Sequence, residues 1–159
     1  MNKNGTLINI LNKDASVVNQ NISLKPLEGS SIMITGATGL VGLNLVSALI
    51  AYNEIADKKI LISAVSYKKA NGVFAEFFKK GKVQEFLCDL SDPISIEELP
   101  SSDYIIHSAG YGQPGKFMED KLKTLAINSL GTMELMRKLN NKGSFLFLSS
   151  SEVYSGHSE

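Results

Sequence analysis

The stretch of this sequence best equipped for chemistry is Thr35-Gly36-Ala37-Thr38-Gly39-Leu40-Val41-Gly42. It follows a short apolar run and opens a helical pattern, so its glycines fall in a strand-to-helix turn. Gly36 permits the tight turn, Gly39 lets a pyrophosphate approach the backbone, and Gly42 lets the helix lie close to the sheet. The helix start then offers free N–H groups and a partial positive charge to phosphates. A glycine-rich turn without a ligand is the plainer alternative. Other chemistries have little to work with. The single cysteine, Cys88, excludes an internal disulfide and a multi-cysteine zinc site, and two histidines leave little for a metal cluster. No metal is expected. His107 sits in an apolar run and reads as a packed residue. Cys88 reads as a small buried hydrophobe, and His157 as an exposed, inert one.

The elements that must position this turn alternate between apolar runs and helical patterns. Strands are expected at 31–35, 59–65, 83–88, 104–107 and 144–149, with helices at 40–52, 70–80, 93–99 and, as one or two pieces, 117–139. Leu122, Leu125, Leu130, Met133 and Met136 are the core candidates of the last helical region, and Phe74, Phe77 and Phe78 those of the 70–80 helix. Five mostly apolar strands separated by helices predict an α/β fold, with a parallel sheet covered on both faces. Right-handed crossovers give the doubly wound order 3-2-1-4-5. Residues 1–28 are polar with scattered aliphatics and are expected to form an appended arm or short helix, leaving 29–159 as the main domain.

The chain has 159 residues, 43% hydrophobic and 20% charged, which suits one ordinary globular domain. Sixteen basic residues balance sixteen acidic ones, so bulk charge gives no reason to expect a nucleic-acid or membrane-surface partner. No run approaches the ~18 apolar residues of a membrane span. The polar first 20 residues lack the apolar stretch of a signal peptide, so a cytoplasmic location is expected.

With the glycine turn, four further stretches occur in order: Cys88-Asp89-Leu90, Ile106-His107-Ser108-Ala109-Gly110, Asn128-Ser129-Leu130-Gly131-Thr132 and Leu148-Ser149-Ser150-Ser151-Glu152-Val153-Tyr154. Together they resemble the extended short-chain dehydrogenase/reductases of the NAD-dependent epimerase/dehydratase group, over residues 30–156. The resemblance implies a Rossmann-like domain that binds NAD (or NADP). Its contacts would come from Gly36, Thr38, Gly39, Leu40, Val41, Gly42, Ser66, Asp89, Leu90, Ser108, Ala109, Gly110, Asn128 and Ser149. Asp89 stands where the group's Asp meets adenine, and Asn128 where its Asn supports the active site. The catalytic hydroxyl falls on Ser150, which would hydrogen-bond the O4 of a nucleotide-sugar. Ser149 and Ser151 are neighbouring alternatives of the opposite parity. Glu152 resembles the carboxylate of the dehydratase and UDP-glucuronate decarboxylase branches, an acid/base candidate at C5 or C6. Its plainer alternative is a surface glutamate.

Two departures accompany the resemblance. The second strand ends in Ala64-Val65-Ser66-Tyr67-Lys68-Lys69, with no carboxylate for the ribose hydroxyls, which allows NADP or weak NAD binding. No tyrosine has a lysine four residues later, so the group's Tyr-x-x-x-Lys pair is missing from these 159 residues. The expectation is a truncated portion of a longer enzyme, inactive alone, whose parent takes a nucleotide-sugar and forms a homo-oligomer. A non-catalytic dinucleotide-binding or interaction module is the competing expectation.

Overall fold

A computed structural model describes residues 3–111 and 114–150. In chain order the elements are α1 (Lys3–Asn21), β1 (Ser31–Thr35), α2 (Leu40–Ile55), β2 (Leu61–Ser66), α3 (Gly72–Lys80), β3 (Gln84–Leu87), α4 (Pro93–Glu97), β4 (Ser102–His107), α5 (Pro114–Glu119), α6 (Lys121–Ala126), a π-helical turn (Ile127–Gly131), α7 (Thr132–Met136) and β5 (Leu139–Phe147). The five strands form one parallel sheet in the order β3-β2-β1-β4-β5. This is the doubly wound order expected from the alternating pattern.

Strand alternation divides the core into two layers. Ile32, Ile34, Ile62 and Ala64 face the side of α2 and α3, where Val46, Leu49, Phe77 and Phe78 meet them. Met33, Val65 and Ile105 face the other side and pack on Ile96, Leu99 and Leu135 from the α4 and α7 region. Phe78 and Met33 are essentially inaccessible. Burial of side chains this large contributes roughly 1.5–3 kcal/mol each.

Near the N-terminus, Lys3–Asn21 form a five-turn helix. The apolar residues Ile8, Leu11 and Ala15 recur on one side of α1, and Leu11 and Ala15 are buried. They lie against α2, whose Ser47 hydroxyl donates to the Leu11 carbonyl at 3.1 Å. Asn19 Nδ2 reaches the Ala48 carbonyl at 3.2 Å. This outer layer explains why α2 is apolar nearly all round: one side meets the sheet and the other meets α1.

Two expectations need correction. Leu122, Leu125, Leu130, Met133 and Met136 are not core; each is at least half exposed. The side that packs inward instead carries Ile127, Gly131 and Leu135, spaced by four. The region is apolar on two sides, and periodicity could not say which one meets the sheet. The last strand also begins at Leu139, not at residue 144. Leu139 pairs with Ser102, the chain bulges through 140–143 with Lys142 at φ 67°, and pairing resumes at Ser144 opposite Tyr104. The Asn-Asn-Lys-Gly stretch looks like a turn and is instead a bulge within the strand.

Candidate dinucleotide groove

The sheet order reverses direction between β1 and β4, and the crevice above the carboxyl ends of such strands is where open α/β sheets bind ligands. A groove of about 460 Å³ opens there. Gly36, Thr38 and Gly39 line it from the turn after β1, and Ser66, Tyr67 and Lys68 from the end of β2. Cys88, Asp89 and Leu90 follow β3, Ser108 to Tyr111 follow β4, and Lys123 and Ile127 overhang it from α6 and the π turn.

The turn itself tolerates no side chain at two places. Gly36 has φ +67°, and a Cβ there would lie 2.8 Å from the backbone of Ser108 and Ala109. A Cβ on Gly42 would collide with the Gly36 carbonyl. The turn therefore packs directly on the chain leaving β4. Gly39 is the N-cap of α2 and supplies no side-chain cap. The first intrahelical bond runs from the Leu43 amide to the Gly39 carbonyl, so the N–H groups of Leu40, Val41 and Gly42 precede the helix ladder.

Below the turn, Thr35 ties β1 to β4. Its hydroxyl meets His107 Nδ1 at 2.7 Å and accepts from the Ala109 amide at 3.2 Å, while Ser108 Oγ donates to the Thr35 carbonyl at 2.6 Å. His107 Nε2 lies 3.4 Å from the Ile127 carbonyl. One assignment satisfies all four groups: neutral His107 donates from Nε2 and accepts at Nδ1 from Thr35. Burial lowers the His107 pKa, against a smaller upward pull from Ile127.

At the far end, Asp89 Oδ2 accepts from Lys123 Nζ at 2.7 Å, and Oδ1 accepts from the Ser91 amide and hydroxyl at 3.0 and 2.6 Å. Partial burial pushes the Asp89 pKa up, but the hydrogen bonds from Lys123 and Ser91 outweigh it, and the net shift is downward. Lys123 is shifted upward, chiefly by the same bond. Its ammonium also sits 4.5 Å above the Tyr67 ring.

The structure thus gathers nine of the residues named from sequence around the groove: Gly36, Thr38, Gly39, Ser66, Asp89, Leu90, Ser108, Ala109 and Gly110. Leu40 and Val41 are exposed at the start of α2, and Gly42 is buried behind the turn. Asn128 lies outside the groove and bonds the Thr124 carbonyl at 2.8 Å. Ser149 and Ser150 are exposed just after β5. Glu152 and Tyr154 lie outside the described residues. Cys88, Tyr111, Lys123 and Ile127 also line the groove and were not among the site residues named from sequence, whereas Tyr67 and Lys68 were noted there only for the missing carboxylate at the end of β2. The Asp89–Lys123 pair spans 34 positions, and no local spacing could reveal it.

Among the described residues, no group of three or more His, Cys, Asp or Glu side chains could hold a metal ion, and no helix is long and apolar enough to cross a membrane. The sheet, its crevice and the glycine turn at the crevice floor place the chain among Rossmann-like α/β proteins. It belongs to the NAD dependent epimerase/dehydratase family, whose sequence model matches residues 32–159. UDP-glucuronic acid decarboxylase 1 of Arabidopsis thaliana is 31% identical over 124 residues, 77% of this chain and 27% of that protein. GDP-6-deoxy-D-mannose reductase of Pseudomonas aeruginosa is 40% identical over 73 residues, 42% of this chain and 23% of that one. The match therefore spans about a quarter of the length of these relatives. The UDP-Glc/GlcNAc 4-epimerase of Campylobacter jejuni shares the fold with a TM-score of 0.61 at 22% identity, over 80% of this chain and 39% of that one. The UDP-glucose 4-epimerase of Bifidobacterium longum, solved with NAD+ and UDP, does so with a TM-score of 0.60 at 19% identity, over 79% and 38%.

Proposed function

We propose that this chain is the NAD(P)-binding portion of a nucleotide-sugar epimerase, dehydratase or decarboxylase. The observation that carries the reading is the groove over the glycine turn, where Gly36 and Gly39 line the crevice and no side chain caps the start of α2. The N–H groups of Leu40, Val41 and Gly42 would hold the pyrophosphate. Ser66, Asp89 and Leu90 would hold the adenosine, and Ser108 to Gly110 the path toward the nicotinamide. Tight packing of Gly36 on Ser108 and Ala109 keeps these two walls in fixed relation.

Bound there, the dinucleotide supplies a hydride acceptor for the sugar C4 carbon. Ser150 is the hydroxyl assigned to the sugar O4, because a hydroxyl can donate to or accept from an oxygen whose charge changes. Glu152 is the acid/base for the later step at C5 or C6, and Asn128 a supporting residue. The decarboxylase relatives favour UDP-glucuronate as the substrate class. A cytoplasmic location and a homo-oligomeric whole protein belong to the same reading.

The proton acceptor of the oxidation is the group without a candidate. Residues 1–159 contain no Tyr-x-x-x-Lys, and the second reading is a non-catalytic dinucleotide-binding module. Calorimetric titration with NAD+, followed by incubation with UDP-glucuronate, tests both parts. Dinucleotide binding without carbon dioxide release or sugar conversion is the expected result. Turnover by residues 1–159 alone would overturn the inactivity, and absence of dinucleotide binding would overturn the assignment. An in-frame Tyr-x-x-x-Lys downstream in the gene would select the enzyme over the module.

A further inference from the structure

In a dinucleotide site of this fold, the end of the second strand meets the adenosine ribose. An acidic side chain there accepts hydrogen bonds from both ribose hydroxyls and repels a 2′-phosphate, whereas a cationic one accommodates that phosphate. The equivalent place in this chain holds Ser66, Tyr67 and Lys68, and all three line the groove. Ser66 is a poor substitute for a carboxylate. Its hydroxyl proton is committed to the Lys68 carbonyl at 2.8 Å, which leaves an oxygen of limited reach and no charge.

The same bond folds the chain back after β2 and brings Lys68 to the groove wall. No hydrogen bond or ion pair ties the Lys68 ammonium among the described residues, nor that of its exposed neighbour Lys69. The nearby carboxylates are already engaged. Glu85 of β3 accepts from the Ala70 amide at 3.2 Å and does not line the groove. Asp89, the acid that does, is bridged by Lys123, so this end of the groove carries no uncompensated negative charge against an incoming phosphate.

We infer that the groove selects the 2′-phosphorylated dinucleotide, NADP, over NAD, with Lys68 as the principal phosphate-binding residue and Lys69 as a second cation. This deepens the proposed function and rests on it: the groove must hold a dinucleotide before it can choose between two. It sets this chain apart from the NAD dependence in its family's name.

Calorimetric titration of the chain with NADP+ and with NAD+, at fixed ionic strength, tests the inference. NADP+ is expected to bind about tenfold tighter or more, as a charge-assisted contact to phosphate allows. Lys68→Ala should remove most of that preference, because NADP+ affinity should fall severalfold further than NAD+ affinity. Lys68 is exposed, so the variant should fold, and Lys68→Arg should keep the preference. Equal or tighter binding of NAD+ would overturn the inference and leave the dinucleotide reading standing. A preference that survives in Lys68→Ala/Lys69→Ala would overturn the assignment to these lysines. If neither dinucleotide bound, the dinucleotide reading would fail and this inference with it.

Discussion

At the scale of single residues, His107 shows how burial fixes a protonation state. Its ring is sealed between Thr35 and the Ile127 carbonyl and flanked by Phe145 and Phe147, 6.3 and 5.3 Å away between ring centres. Burial holds its pKa below the ordinary 6.5. Unfolded, the ring protonates first as pH falls, so the unfolded state binds more protons below that value. Stability from this group is therefore complete above about pH 6.5, falls as pH drops below it, and levels off under the folded-state pKa. Chemical denaturation between about pH 7 and pH 5, above the carboxylate range, should show the decline. His107→Gln should be less stable throughout but flatter over that window. An equally steep decline in the variant would assign the effect to other groups.

At the scale of elements, α1 is the part whose role can be tested most simply. Leu11 is 3% exposed and faces α2, so Leu11→Ala should cost about 2–5 kcal/mol in urea unfolding, as buried leucine truncations do. Exposed Ile10 is the control, and its alanine variant should stay within about 0.5 kcal/mol of the parent. Equal effects at the two positions would mean that α1 does not pack as described. The same scale shows what the sequence discloses. Strand order, the glycine turn and its position followed from periodicity and from the context of three glycines, because both are local signals. The side on which the 121–136 region packs did not follow, because Leu122 and Leu125 are as apolar as Ile127 and Leu135. Nor did the bulge in β5, since its turn residues interrupt the strand pattern. Of the site, the groove residues on the strand ends were readable from motifs. The Asp89–Lys123–Tyr67 cluster was not, because it joins three elements distant in sequence.

At the scale of the whole molecule, exposed apolar residues occur on most elements, and one run of them lies between positions 118 and 148. Leu122, Leu125, Met133 and Met136 are exposed, as are Leu146 within β5 and Leu148 just after it, and β5 ends the described sheet. Neither charge nor proline interrupts Ser144-Phe145-Leu146-Phe147-Leu148. Among the described residues β5 has a neighbour on one side only, and an apolar strand edge of that kind favours pairing between chains. Sedimentation velocity over a wide concentration range should show self-association, and Leu146→Lys should weaken it. Strictly monomeric behaviour throughout would contradict this.

The glycine turn can serve as a phosphate cradle or only as a packing device, and the proposed function requires the first. Gly36 and Gly42 cannot separate these roles, because side chains there strike the backbone. Gly39 can: its φ is an ordinary −77°, and a Cβ there would meet only the Gly36 carbonyl oxygen, at 3.1 Å. A valine at this position should leave the fold intact, checked by circular dichroism, while placing two methyl groups where the proposed pyrophosphate would lie. The most direct measurement is calorimetric titration of Gly39→Val and the parent with NAD+ and NADP+ under identical conditions. Affinity for both should fall by about a hundredfold or become undetectable, the loss of several hydrogen bonds to a charged group. A folded Gly39→Val that binds either dinucleotide as tightly as the parent would contradict the account.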